Sequence, residues 1–167
     1  AYTITVYAHT TGGAFNASAA VGVTLLGPTA PFGAVDTPAD GATVTGEMAM
    51  TGWALDDVGV SRVDIFRSSV AGEPAGLLFV GRAVFIRGAR PDVQSLFPNA
   101  ADNDNAGWGF MVLTNFLPNQ GNGTFTLHAY AYDGAGLQTL LGSRRIVAAN
   151  ASSTKPFGTI DTPGQGE

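Results

Sequence analysis

The residues best suited to chemistry in this chain are acids and aromatics, because no cysteine is present and only two histidines, His9 and His128, occur. Asp102-Asn103-Asp104-Asn105 is a run of hard oxygen donors. Calcium takes about six to eight such oxygens, which makes Asp102 and Asp104 candidate calcium ligands. The run lacks the later glycine and distal glutamate of an EF-hand loop, and Asp/Asn runs also serve as plain polar loops because their side chains satisfy turn backbones. Asp36 and Asp133 are a second acidic pair, placed where loops of neighbouring units would meet and able to clamp a cation there; capping turns is their alternative role. Trp108, Tyr130 and Tyr132 are candidate ligand or interface aromatics that could form a platform for sugars. Tyr130 and Tyr132 share a strand face by period two. Trp53, inside the apolar Met50–Leu55, is expected to bury its ring.

A catalytic centre needs more than this. There is no Gly-x-Ser-x-Gly elbow, and the two histidines have no serine and acid at a supporting spacing. Paired carboxylates remain a route to hydrolysis, but the acids lie in turn-like segments with nothing to set two of them apart. No catalytic residue is assigned, no cofactor is expected beyond the candidate calcium, and the chain is expected not to be an enzyme.

Composition narrows the classes further. Hydrophobic residues make up 45% of 167 positions and charged residues only 13%, a ratio that builds a packed core rather than a disordered chain. The formal charge is −5, with eight basic residues that cluster only at Arg144-Arg145, which argues against nucleic acid as a partner. No apolar run reaches membrane-spanning length. A domain without cysteine must rely on its core, a pattern that suits bacterial surface proteins better than disulfide-rich secreted modules. Three Asn-x-Ser/Thr triplets begin at Asn16, Asn122 and Asn150; they are acceptor motifs for a glycan only on an exposed loop in the right cell.

The elements that must position these residues are strands. The 23 glycines and nine prolines follow no collagen-like period and read as turns between short strands. Alternation predicts strands at 2–8, 32–36, 43–54 (with a break near Gly46), 60–67, 77–86, 108–114, 124–132 and 140–148, and a further strand through Val21, Val23 and Leu25. Asp40-Gly41 supplies a turn between the first strands of the central unit. One segment departs from the pattern: Pro91 at a first helical position, Asp92 in the first turn and Val93, Leu96 and Phe97 at i, i+3, i+4 predict a short helix over 91–97. The seven of these strands from 32–36 to 140–148 imply an all-β antiparallel sandwich with one short helix.

The chain also repeats itself. Pro31-Phe32-Gly33-Ala34-Val35-Asp36-Thr37-Pro38 returns as Pro156-Phe157-Gly158-Thr159-Ile160-Asp161-Thr162-Pro163, identical at six of eight positions and about 125 residues later. Thr3-Ile4-Thr5-Val6-Tyr7-Ala8 likewise parallels Thr124-Phe125-Thr126-Leu127-His128-Ala129. The expected organisation is a C-terminal hairpin and linker of a preceding unit at 1–30, a complete unit at 31–155, and the first strand of a following unit at 156–167.

Several phrases carry a resemblance: Gly52-Trp53-Ala54-Leu55-Asp56, Ala89-Arg90-Pro91-Asp92-Val93, Asn105-Ala106-Gly107-Trp108-Gly109-Phe110, and Gly123-Thr124-Phe125-Thr126-Leu127 with Tyr130-Ala131. In this order they resemble bacterial immunoglobulin-like repeats of long secreted and cell-surface proteins. The resemblance implies an immunoglobulin-like β-sandwich, an extracellular location and a structural or adhesive role as a spacer in a stalk or filament. Its partners would be neighbouring repeats or identical subunits, joined by close packing or by strand complementation between copies. A carbohydrate-binding accessory module of a secreted hydrolase, taking surface glycans, is the alternative.

Overall fold

A computed structural model describes residues 2–9, 11–13, 15–24 and 27–153. The repeated motif at 156–163, and with it the expected strand of a following unit, lies outside the described residues.

The chain folds as strands β1 (Tyr2–His9), β2 (Phe15–Val23), β3 (Phe32–Thr37), β4 (Ala42–Val44), β5 (Glu47–Leu55), β6 (Val60–Ser68), β7 (Leu77–Arg82) and β8 (Val84–Phe85). After these come helix α1 (Pro91–Leu96) and strands β9 (Gly107–Leu113), β10 (Asn122–Asp133) and β11 (Gln138–Ala149). One sheet has the order β4-β11-β10-β6-β7 and the other β3-β5-β9-β8; β1 and β2 form a separate hairpin. All pairings are antiparallel except that of β4 with β11. Two facing sheets that divide consecutive strands in this way form an immunoglobulin-like sandwich.

Period two decides which side chains fill it. In β5, Met48, Met50 and Ala54 point inward at 7%, 0% and 2% exposure, while the alternate Glu47 and Ala49 face out. In β10 the same rule buries Phe125, Leu127, Ala129 and Ala131. Val63 and Ile65 of β6, Trp108 and Val112 of β9, and Ile146 and Ala148 of β11 complete the core. A bulge opposite Ala129/Tyr130 gives β11 one extra residue, so Leu141 and Ile146 face inward although they differ in parity. Truncating a fully enclosed side chain such as Leu127 would cost about 2–5 kcal/mol.

The structure corrects one predicted strand and has the break expected in another. The strand expected over 77–86 is two strands: at Ala83, whose N–H donates to the Val63 carbonyl, the chain leaves the five-stranded sheet and enters the other. The break near Gly46 is likewise a change of sheet, made at a glycine with φ +76°. The helix forms where expected, but its apolar stripe does not. Val93 is buried, whereas Leu96 is 72% exposed. Phe97, past the last turn, packs against Phe32 and Trp53 on the outer side of β3 and β5.

The hairpin has a different character. Tyr2, Ile4, Val21 and Val6 are 57–64% exposed. Their counterparts in the internal repeat include Phe125 and Leu127, which are core residues of the sandwich.

Candidate functional site

Residues 31, 55–60, 101–107 and 133–138 gather at one end of the sandwich, which we term the N-terminal pole because the chain enters there. Two acids lie inside this pole. Asp56 follows Met48, Met50, Gly52 and Ala54 at the next inward position of its strand line, and Asp133 follows Phe125, Leu127, Ala129 and Ala131 in the same way. One comes from each sheet, so the two carboxylates close the core from opposite sides. Asp56 is 1% exposed and Asp133 3%.

Local hydrogen bonds satisfy half of each carboxylate. Asp56 Oδ2 accepts from the Val58 N–H at 2.9 Å, and Asp133 Oδ1 from the Leu137 N–H at 2.8 Å. Asp56 Oδ1 and Asp133 Oδ2 are buried without a hydrogen-bond partner among the described residues. Burial pushes the Asp56 carboxyl above its ordinary 3.8; the Val58 N–H opposes this, while the charges of Asp57 and Asp133 add to it. Gly59, at φ +91°, turns the chain tightly between Asp56 and β6, and Asp102 Oδ2 would stand 3.3 Å from a Cβ at that position. Asp57 is exposed and holds the incoming linker by accepting from the Thr29 N–H and hydroxyl at 3.3 and 3.0 Å.

The positive charge is spent elsewhere. Arg62 and Arg82 pair with Asp64, Arg67 with Glu73, Arg87 with Asp104, and Arg90 with Asp36 and Asp92. Among the described residues Asp56, Asp57, Asp102 and Asp133 have no basic partner. The pair read from sequence as calcium ligands is therefore divided: Asp104 turns to Arg87, while Asp102 lies against the Gly59 turn. Asp36 also turns away from Asp133, to Arg90. No three acidic or histidine side chains among the described residues converge on a single point.

The aromatic candidates also separate. Trp108 is 2% exposed in the core, and its Nε1–H has no partner among the described residues. Trp53, expected inside, is half-buried on the outer face of its sheet against Phe32 and Phe97. Tyr130 and Tyr132 are half-buried on the outer face of the five-stranded sheet. Phe66 meets Tyr130 and Phe79 edge-to-face, with centroids 5.8 and 5.7 Å apart, and the Arg62 guanidinium lies 3.9 Å from the centre of the Tyr132 ring. These rings stack into one another and under an arginine instead of presenting a coplanar face. Next to them an open groove of about 510 Å³, lined by Phe79, Phe110, Met111 and Phe116 among others, separates the edges of β7 and β9.

The opposite, C-terminal pole is held by Asn150. Its Oδ1 accepts from the Gly46 N–H at 2.9 Å and the Thr114 hydroxyl at 3.0 Å, and its Nδ2 donates to the Gln120 carbonyl at 3.1 Å. Asn119, Gln120 and Gly121 bring that carbonyl into place through three successive left-handed residues. Asn122 is similarly tied, donating to the Asn119 carbonyl and accepting from the Ala151 N–H. Two of the three sequon asparagines thus have their amides occupied by the fold.

No family model and no curated protein sequence matches the chain. Among solved structures, the fibronectin(III)-like modules of Clostridium thermocellum CbhA are similar, with 18% identity and a TM-score of 0.44. The match covers 92% of this chain and 65% of that one, so the chain spans a little under two thirds of its length. The assignment of the fold rests on the strand order and pairing described above.

Proposed function

We propose that this chain is a non-catalytic spacer unit of an extracellular bacterial repeat protein, built to carry tension along its length. The observation that carries this reading is the path of the chain. It enters at the N-terminal pole through Thr29–Pro31 and leaves at the opposite pole through Asn150–Ser152. Units joined this way run end to end. Each advances the array by roughly the length of its longest strands, 12 residues or about 40 Å.

The interior supports the same reading. β4 runs parallel to β11, pairing Ala42, Thr43 and Val44 with Ile146, Val147 and Ala148. Tension on the two termini therefore draws β4 and β11 past one another, and their bonds are loaded together, not one by one. Side chains reinforce this seam. Asp40 Oδ1 accepts from the Arg145 N–H at 2.7 Å, and the Gly41 N–H donates to the Arg145 carbonyl at 2.7 Å. Arg144 crosses between sheets to donate to the carbonyls of Val35 and Pro38. No helix among the described residues is long and apolar enough to cross a membrane, a statement that does not reach β-barrels.

Single-molecule extension of the chain tests the proposal. A spacer of this design opens in one event that releases about 400 Å of chain for residues 31–153. Arg144→Ala combined with Asp40→Ala lowers the opening force. Gradual lengthening without a discrete event would contradict the reading.

A further inference from the structure

We infer that the N-terminal pole is a binding site for a divalent cation of calcium size, held between Asp56 Oδ1 and Asp133 Oδ2. Each of these oxygens is buried and without a partner among the described residues. Each continues the inward line of its own strand, one from each sheet, so the two face the same end of the core. A buried polar atom left unpaired is costly, and an unneutralised buried charge much more so. Core positions of this kind normally carry an apolar side chain, yet here the inward line of each strand ends in an aspartate. Five arginines among the described residues are engaged with other acids, and none of them pairs with Asp56 or Asp133. A cation is the missing partner that this charge distribution calls for.

The chemistry of the pole fits calcium better than magnesium. Calcium accepts carboxylates together with backbone carbonyls and water in irregular geometry, whereas magnesium demands a near-octahedral shell and gives up water reluctantly. Two carboxylates supply the charge to match a divalent ion. Since no third acid converges with them, carbonyls of the 56–60 and 133–137 turns and water would fill the remaining positions. Asp102 lies against the same turn through Gly59. The adjoining Asp57 grips Thr29 of the incoming linker, so an ion at this pole would stiffen the turn that fixes the joint.

Thermal unfolding and titration calorimetry of the full chain, in calcium chloride and in chelator, test the inference. With calcium at about a hundredfold above its dissociation constant, the melting temperature rises by about 5–10 °C, and chelator reverses the rise. Calorimetry counts one ion per chain. Asp56→Asn combined with Asp133→Asn abolishes both responses. In chelator, that double variant melts at or above the native chain, because it has lost the charges that nothing neutralises. A native chain whose melting is unmoved by calcium up to about 10 mM, above the range of extracellular calcium modules, would overturn the inference. So would an equal shift in the double variant. If the double variant does not fold, Asp56→Asn alone decides: loss of the bound ion upholds the site, and unchanged stoichiometry and affinity overturn it.

Discussion

Trp108 stands directly across from Gly52 in the β5–β9 ladder, and its indole ring fills the space that a Cβ at residue 52 would need. The other side of that space is the Ala34 carbonyl of β3. Gly52 is thus the floor on which the largest core side chain rests, pinned between two neighbouring strands. Gly52→Ala is expected to destabilise the fold by about 1–3 kcal/mol through overpacking, lowering the melting temperature by several degrees. Urea unfolding monitored by tryptophan fluorescence measures it. A neutral substitution would mean that the ring is not seated where the structure has it.

The Asn150 junction makes a second prediction. Asn150→Ala strips partners from the Gly46 N–H and the Gln120 carbonyl and is expected to cost about 1–3 kcal/mol. Thr114, fully buried, shares the junction through its hydroxyl, which bonds the Gly46 carbonyl at 2.5 Å as well as Asn150. Thr114→Val and Asn150→Ala should then cost less together than the sum of their separate effects. A double-mutant cycle in urea checks this, and strict additivity would show that the two side chains act independently.

Acid should act through the Arg67–Glu73 pair. Both terminal guanidinium nitrogens of Arg67 reach Glu73 at 2.6 Å, and the Val70 N–H adds a third bond. Hydrogen bonding from Arg67, followed by the Val70 N–H, holds the Glu73 carboxyl at about 2, against an ordinary 4.5. The folded state binds this proton less readily than the unfolded chain, so the contribution is complete above about pH 4.5 and is lost as the pH falls towards 2. Glu73→Gln should melt below the native chain at neutral pH, and the gap should close across that window. A gap that persists unchanged at pH 2 would remove the pair from the acid response.

Much of this architecture is legible in the sequence because period two is a local property. The alternation in Phe125-Thr126-Leu127-His128-Ala129-Tyr130-Ala131 marks both the strand and its inner face. The same parity, carried one step further, reaches Asp133, and in β5 it reaches Asp56. That signal identifies the acids of the pole, although a reading of isolated acids as turn caps passes over it. Pairing across strands is not local. Nothing near Trp108 in the sequence tells that Gly52 lies opposite, so which tryptophan is enclosed is decided by register. The change of sheet at Ala83 and the left-handed turn at Asn119-Gln120 are set by distant partners, Val63 and Asn150, and leave no local mark.

A sandwich that resists tension between its two poles must open at a force that depends on the direction of pulling. The chain has no cysteine, so introduced pairs give unique handles. Ala30→Cys with Ala151→Cys places the handles at opposite poles and loads the β4–β11 bonds together. Ala30→Cys with Gly134→Cys places both at the N-terminal pole and opens ladders one bond at a time. The first pair is expected to open at a clearly higher force than the second. Equal forces, or a stronger response when both handles are at one pole, would show that the fold is not built to bear tension between its poles.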